Sequence, residues 1–242
     1  MALSAPTVLA AAATTTPSNP QSSASISPTA NTPGIIVAVD SRNPATTITA
    51  AAGAGLNLGT ITAITDVLYG TIASSTRRMY AWWYNGAASP GSGTVDFTYG
   101  AAPNGASWLL LEWPGMDRTA PIIANATNRA DTSTGITVSL SDGGGALTWD
   151  GTLGVFANGD STVTINIGGA FTNIGQLTCA STNSFKFRSQ YALSKLTSVD
   201  CTQTSAHLGG IALGVAAASG GVGPDLVRSV GSRTRRPSAS LW

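Results

Sequence analysis

Residues able to do acid–base or metal chemistry are few in this 242-residue chain. His207 is its only histidine and Glu112 its only glutamate. A Ser-His-Asp triad would have to use His207, and a metal site built on imidazole needs more than one such ligand. His207 stands beside two glycines at the start of a predicted strand, and the sequence has no G-x-S-x-G nucleophile elbow. We therefore interpret it as a surface or strand-end histidine.

Two carboxyl groups could in principle hydrolyse a glycosidic bond if they lay about 5–9 Å apart. Glu112 with Asp96 or Asp117 would form such a pair, because the predicted sheet could bring Asp96 and Glu112 onto adjacent strands. Most pairs of this kind are ordinary polar residues on a sheet face. We predict no catalytic residue, and we expect that the protein is not an enzyme.

Three further carboxylates, Asp142, Asp150 and Asp160, occur at successive predicted turns. Calcium loops need oxygen ligands at closely spaced positions such as 1, 3 and 5. These three aspartates lack that spacing, so we interpret them as solvated turn residues. The sequence predicts neither a metal site nor a cofactor.

Aromatic residues concentrate between positions 77 and 117, which hold four of the six tryptophans. Strand-like runs at 79–84, 94–99 and 107–113 are separated by Asn-Gly, Pro-Gly and Pro-Asn-Gly sequences, which favour chain reversal. This pattern predicts an antiparallel meander of three consecutive strands at the centre of the core.

Side chains of the first of these runs must alternate between two faces of the sheet. One face is predicted to be core. The other is core, a subunit interface rich in aromatic residues, or an exposed patch on which sugars stack. The residues that would form this candidate exposed aromatic patch are Tyr80, Trp82 and Tyr84.

The composition of the whole chain favours sheets over helices. Charged residues make up 10% of the chain, well below the roughly 25% of an ordinary globular domain, and there are 28 glycines. About a dozen short apolar runs recur at the 8–12-residue spacing of a sandwich or barrel, and Asn158-Gly159-Asp160 predicts a hairpin turn. We predict an all-β fold, an antiparallel two-sheet β-sandwich with jelly-roll-like character.

Three regions are predicted along the chain. Residues 1–20 form an extended N-terminal arm with an edge strand over 7–13, residues 21–218 form the β-sandwich domain, and residues 219–242 form a C-terminal tail. No apolar run is long enough to cross a membrane, and the N-terminal residues lack the basic segment of a secretory signal. Cys179 and Cys201 are predicted either to bridge neighbouring strands or to remain free thiols.

The tail carries four of the twelve basic residues. Four scattered charges are too few to favour nucleic acid as a partner. Apolar residues and arginines together suit attachment to another protein. The candidate anchoring residues are Leu226, Val227, Arg228, Arg233, Arg235, Arg236, Leu241 and Trp242.

Five segments together resemble a β-sandwich domain of tailed-phage structural proteins, the head-decoration and minor tail proteins. They read SISPTANTPGIIVAV, RRMYAWWYNGAASPGSGTVDFTYG, GASWLLLEWPGMD, GTLGVFANGD and HLGGIALGV. The third contains an apolar run that begins at Trp108 and ends at Glu112, a feature typical of that group. The resemblance covers residues from about 21 to 217.

The resemblance implies a non-enzymatic virion protein on the particle surface, a capsid decoration or cement protein bound to the major capsid protein or another virion protein. A homotrimer at local threefold positions is the expected assembly, and the net charge of +1 is consistent with association. The alternative is a receptor-binding module of the tail or a head fibre that recognises host glycans.

Overall fold

A computed structural model describes residues 1–41, 47–70, 77–180 and 184–219. Their regular structure is entirely β, and every strand pairing is antiparallel, which confirms the prediction of an all-β, antiparallel protein. These residues contain no helix that could cross a membrane. The strands are β1 (Thr7–Thr14), β2 (Gln21–Ser22), β3 (Gly34–Ser41), β4 (Ile48–Ala52), β5 (Ile61–Tyr69), β6 (Arg77–Tyr84), β7 (Val95–Tyr99), β8 (Ala106–Glu112), β9 (Ile122–Ser139), β10 (Gly151–Asn158), β11 (Asn166–Ile167), β12 (Thr172–Cys179), β13 (Phe185–Ala192) and β14 (Ser198–Val215).

A five-stranded sheet has the order β1-β8-β3-β6-β5. Its central strand, β3, is buried along its whole length, as expected for a continuous apolar run covered on both faces. Ala38 of β3 lies opposite Tyr80 on one side and Trp108 on the other. The predicted meander was therefore wrong: β6 and β8 flank β3, and β7 belongs to a separate three-stranded sheet with the order β2-β7-β4.

Both faces of the five-stranded sheet are core. Val37 and its neighbours on one face share a cluster with Val155 and Leu213 of a six-stranded sheet. Ile36 and its neighbours on the other face share a second cluster with Phe97 of the three-stranded sheet. Alternation along β3 therefore directs successive side chains into two different cores.

The six-stranded sheet is nearly closed on itself. Its order is β11-β14-β10-β13-β12, and β9 pairs with β14 along the other edge. β9 and β14 each span 18 residues, and their register shifts between Thr202 and Leu208. Beyond that irregularity Val138 and Val199 share a third cluster with Phe156 of β10, so the far half of the ribbon covers its own sheet.

The two ends of the strands are referred to as the terminal end and the loop end. Gly34, Glu112, Gly151 and Val215 lie at the terminal end, where β3, β8, β10 and β14 start or finish. The opposite ends of the same strands define the loop end. Between the two ends, β5 lies beside β9 and β1 lies beside β12.

One local prediction is confirmed and one is corrected. The edge strand expected within the arm over residues 1–20 is β1, which pairs with β8 and contributes buried Ala10 to a core. The expected hairpin at Asn158-Gly159-Asp160 does not form, because β10 pairs with β13 and β14 instead of with residues 162–167. The tail beyond residue 219 lies outside the described residues.

Candidate functional site

Three distant parts of the chain meet at the terminal end. The Ser4 amide donates to the Pro114 carbonyl at 3.0 Å, and the Ala218 amide donates to the Gly115 carbonyl at 2.7 Å. The Met1 nitrogen donates to the Ala218 carbonyl at 2.6 Å. Residues 1–4 and 216–219 are thereby tied to the segment that follows β8.

A tight turn after β8 makes this meeting possible. Trp113 is fully buried, and Pro114-Gly115 reverses the chain with a φ of 85° at Gly115. Glycine adopts that angle without penalty, and a side chain there would collide with the Ala2 carbonyl. Met116 forms an isolated bridge with Ala217, so the turn also aligns the residues that follow β14.

A cavity of about 450 Å³ opens at this end, and we call it the terminal groove. A second cavity of about 290 Å³ lies next to it and is lined by Pro33, Pro114, Met116 and Arg118, together with Met1 and Ala218, which line both. Residues lining the terminal groove include Met1, Leu3, Asp150, Leu193, Ala217 and Ser219.

One carboxylate and one guanidinium belong to these cavities. Asp150 Oδ2 accepts the Ala217 amide at 2.7 Å, which holds the chain after β14 against the groove. Arg118 donates from Nε to the Asn85 carbonyl at 2.9 Å and from Nη2 to the Gly86 carbonyl at 2.6 Å. Both charged side chains therefore stabilise the walls of the two cavities. They also place one negative and one positive group at the terminal end.

The carboxylates proposed for glycoside hydrolysis are separated and individually engaged. Glu112, on β8 of the five-stranded sheet, is buried and accepts the Thr29 amide and, at 3.0 Å, the Thr29 hydroxyl. Asp96 lies on β7 of the three-stranded sheet and accepts Thr94 Oγ1 at 2.9 Å. The adjacent-strand arrangement that would have joined Asp96 and Glu112 was wrong, since their strands belong to different sheets.

Asp117 caps a turn at the terminal end. It accepts the Ala120 amide at 3.0 Å and the Thr119 amide at 2.6 Å. These two hydrogen bonds favour the charged carboxylate and lower the pKa of Asp117 below its usual value. The contacts explain the residue as a local cap of the turn.

The three turn aspartates have separate local partners. Asp142 pairs with Lys195 at 3.0 Å, and this hydrogen bond is the largest cause of its lowered pKa. Asp160 accepts from the side chain and backbone of Thr162, which lowers its pKa as well. No group of three possible metal ligands occurs among the described residues.

His207 lies in β14, partly buried at the loop end. Its carbonyl accepts the Gly159 amide at 2.9 Å. Arg77, which is almost fully buried, donates to the Gly159 and Ser184 carbonyls nearby. These contacts join β6, β13 and β14 at this end of the molecule.

The candidate aromatic patch is mostly core. Tyr84 is fully buried and donates its hydroxyl to the Leu111 carbonyl at 3.0 Å, and Trp82 is 5% exposed. The prediction of an exposed patch was wrong for these two residues, because the three-stranded sheet covers that face. Tyr80 is half-buried, stacks on Trp82 with ring centroids 5.4 Å apart, and has the Arg78 guanidinium 4.9 Å from its own centroid.

Both cysteines are buried and neither forms a disulfide, so the two alternatives for them resolve in favour of thiols. Cys179 donates its thiol to the Thr14 carbonyl at 3.2 Å, linking β12 to β1. Burial raises the pKa of Cys201 to about 12.

The sequence did not predict that the residues of the terminal groove lie together. Leu193 and Asp150 are separated by more than forty positions, and Asp150 was interpreted only as a turn residue. An apolar residue just beyond a strand, as at Leu193, was the only available signal. The candidate anchoring residues of the tail lie outside the described residues, so their positions are not part of this site.

Comparison with protein-family models, with curated proteins and with solved structures found no match to this chain.

Proposed function

We propose that this chain is a non-enzymatic structural protein of a tailed-phage particle, a capsid decoration or cement protein on the particle surface. The observation that carries the proposal is the meeting of residues 1–4 and 216–219 at the terminal end. Because Ser219 is at that end, the tail begins there, and in this proposal it binds the shell beneath that end. The resemblance to phage structural proteins and the 10% charged residues support the same role.

The architecture in this proposal is a β-sandwich with jelly-roll-like character, formed by the five-stranded and six-stranded sheets. The three-stranded sheet covers the other face of the five-stranded one. The support for the sandwich is the cluster shared by the five-stranded and six-stranded sheets, to which Val37, Val155 and Leu213 contribute. A body with covered sheet faces suits a protein that stands on a shell as a rigid unit.

Attachment in this proposal uses the tail, and the assembly is a homotrimer at local threefold positions. The partner is the major capsid protein or another virion protein. Burial of tail residues such as Leu241 and Trp242 would contribute about 2–3 kcal/mol each, whereas exposed ion pairs of the four tail arginines would add about 0–1 kcal/mol apiece. The apolar residues should therefore dominate attachment.

Capsids purified without the protein provide the test. The intact chain should co-sediment with them to a fixed stoichiometry, and analytical ultracentrifugation should show a trimer. Deletion of residues 219–242 should leave the thermal unfolding of the body intact and lower capsid occupancy. Replacing the four arginines with glutamine should have a smaller effect, confined to low salt. A monomer without affinity for capsids, or full occupancy after the deletion, would refute the proposal.

Glycan recognition draws on a weaker observation. Tyr80 is the one residue of the candidate patch that is not buried, and its ring already contacts Trp82 and Arg78. A glycan array probed with the intact chain and with Tyr80→Ala distinguishes the two roles. Binding that the substitution abolishes would favour the receptor-binding module over the structural role.

A further inference from the structure

Asparagine is followed by glycine at three places in the chain, Asn85-Gly86, Asn104-Gly105 and Asn158-Gly159. Such a pair can lose ammonia without any partner, because a glycine has no side chain to keep its amide nitrogen away from the asparagine Cγ atom. The reaction requires an asparagine side chain that is free to rotate and a glycine N–H that is not donated to an acceptor. The structure separates the three pairs by these two requirements.

The pair at Asn158 is held at every reacting atom. Asn158 is fully buried, its Oδ1 accepts the Lys186 amide at 2.9 Å, and its Nδ2 donates to the Val163 carbonyl at 3.0 Å. The Gly159 amide donates to the His207 carbonyl at 2.9 Å. Attack by Gly159 on Asn158 would therefore require all three hydrogen bonds to break inside the protein.

The pair at Asn85 is also fixed on both sides. Asn85 Oδ1 accepts the Thr60 amide at 3.0 Å, and the Gly86 amide donates to the Leu58 carbonyl at 3.1 Å. The Asn85 carbonyl between these groups accepts Arg118 Nε at 2.9 Å. The side chain and the backbone of this pair are thus held in one conformation.

The pair at Asn104 has neither restraint. Asn104 is exposed, and among the residues that the structure describes its side-chain amide has no hydrogen-bond partner. Gly105 is buried, but the group engaged there is its carbonyl, which accepts the Ser41 amide at 3.0 Å and the Ser41 hydroxyl at 3.1 Å. Within the same described residues, the Gly105 amide donates to no backbone carbonyl. The Asn104 side chain can therefore turn toward the Gly105 nitrogen without breaking a hydrogen bond.

We propose that Asn104 is a site of spontaneous deamidation in the folded protein, while Asn85 and Asn158 are protected. The Gly105 nitrogen loses its proton to solvent and bonds to Asn104 Cγ. The bond from Cγ to Nδ2 then breaks, ammonia leaves with a proton from water, and a cyclic imide remains. Water opens the imide at either carbonyl carbon, which gives aspartate or isoaspartate. The reaction consumes water alone and does not depend on the virion role.

This conversion changes the loop end of β3 and β8. The new carboxylate adds one negative charge to a chain whose net charge is +1, so the isoelectric point falls. In isoaspartate the backbone runs through Cβ and Cγ, which lengthens the path between the Asn104 amide and the Gly105 carbonyl. Both groups bind Ser41, the first by donating to its carbonyl at 3.1 Å. The isoaspartate form should therefore weaken the pairing of Ser41 with this segment.

Peptide mapping by mass spectrometry tests the site. The intact protein is incubated in mildly alkaline buffer, with a parallel sample unfolded in guanidinium. In the folded protein, Asn104 should convert at least about tenfold faster than Asn85 or Asn158, because those two must first open locally. In guanidinium the three pairs should convert at similar rates. Conversion of Asn85 or Asn158 as fast as Asn104 in the folded protein would overturn the proposal. So would an unchanged Asn104 in the folded protein after the time at which it has converted in guanidinium.

Isoelectric focusing of folded variants gives an independent readout. Asn104→Gln should abolish the acidic species that accumulates during incubation, because glutamine forms the corresponding ring far more slowly. The matched control is Asn125→Gln, since Asn125 is exposed in β9 and is followed by alanine. This control should accumulate the acidic species at the rate of the unsubstituted protein. An acidic species that persists in Asn104→Gln would assign the charge change to another residue and contradict the proposal.

Discussion

Glu112 shows how a residue with catalytic potential is used for structure. The carboxylate is 5% exposed and accepts both the amide and the hydroxyl of Thr29, so it fixes the segment before β3 against the end of β8. Tyr84 lies near it, and the negative charge adds to burial in raising the pKa of that tyrosine. The only glutamate of the chain thus holds two segments together.

Removing this carboxylate should destabilise the fold. Glu112→Ala leaves the Thr29 amide without its acceptor, which should lower the free energy of unfolding by about 1–3 kcal/mol. Glu112→Gln keeps an acceptor oxygen and should cost less. Urea unfolding of the two variants measures the difference, and an equal loss in both would show that the hydrogen bonds to Thr29 do not stabilise the fold.

The thiols should be inert in the native protein. Only the thiolate reacts with Ellman's reagent, and burial raises the pKa of Cys201 to about 12. Both cysteines are also buried, so the reagent has little access to them. Colour should therefore develop only after denaturation in guanidinium, with two thiols per chain, whereas an added Leu68→Cys thiol should react at once. Rapid reaction of the native thiols would contradict this prediction.

At the scale of elements, the curled ribbon of β9 and β14 depends on glycines where it covers its own sheet. A methyl group added at Gly210 would lie 2.8 Å from the Phe156 ring and 2.9 Å from Val138 Cγ2. The absence of a side chain there lets Phe156 and Val138 lie flat against β14. Gly154 of β10 likewise leaves space for the Val199 side chain, because an added methyl group there would lie 2.3 Å from Val199 Cγ1.

Gly210→Ala should therefore destabilise the protein by about 1–3 kcal/mol through overpacking. Gly175→Ala is the matched control, because Gly175 lies in β12 with no atom within 4 Å of an added methyl group. The control should be neutral or slightly stabilising, since alanine reduces the entropy of the unfolded chain. Thermal unfolding of both variants measures the two effects. A similar loss of stability in both would show that the space at Gly210 is not limiting.

Strands were predictable from the sequence, but their partners were not. The apolar runs at 34–39 and 151–157 nearly coincide with β3 (Gly34–Ser41) and β10 (Gly151–Asn158). Alternation specifies which side chains share a face and carries no information about which strand lies next to which. The insertion of β3 between β6 and β8 therefore escaped prediction. The length of β9 also escaped prediction, because polar residues occupy the middle of the strand, where most side chains are exposed.

At the scale of the whole molecule, the candidate site arises from the return of distant segments to one end. Asp150 was noted in the sequence as a turn aspartate, and its contact with Ala217 depends on the antiparallel register of β10 and β14. Leu193 reaches the same groove because β13 ends beside the start of β10. Contacts between residues so far apart in sequence can be predicted only when the order of the strands in the sheets is known. Local sequence patterns did not specify that order.

The dependence of stability on pH is also a property of the whole molecule. It is set by aspartates at low pH and by tyrosines at high pH. Asp117, Asp142 and Asp160 have folded pKa values below the ordinary 3.8, because hydrogen bonds favour their charged forms. Tyr69 and Tyr84 have folded pKa values above the ordinary 10.0, because burial disfavours their charged forms. A broad plateau of stability is therefore expected between these limits, from about pH 5 to pH 9.

The change of stability with pH has opposite signs at the two limits of that plateau. Below about pH 4 the unfolded chain binds protons that the folded aspartates exclude, so stability is lost as pH falls through their folded pKa values. Above about pH 10 the unfolded chain releases tyrosine protons that the folded state retains, so stability is lost as pH rises. Urea unfolding between pH 3 and pH 11 should give this plateau with two descending limbs. Asp160→Asn, which keeps an acceptor for Thr162, should flatten the acid limb, and Tyr69→Phe should flatten the alkaline one. Stability that increased from pH 5 to pH 3 would contradict the role assigned to the aspartates.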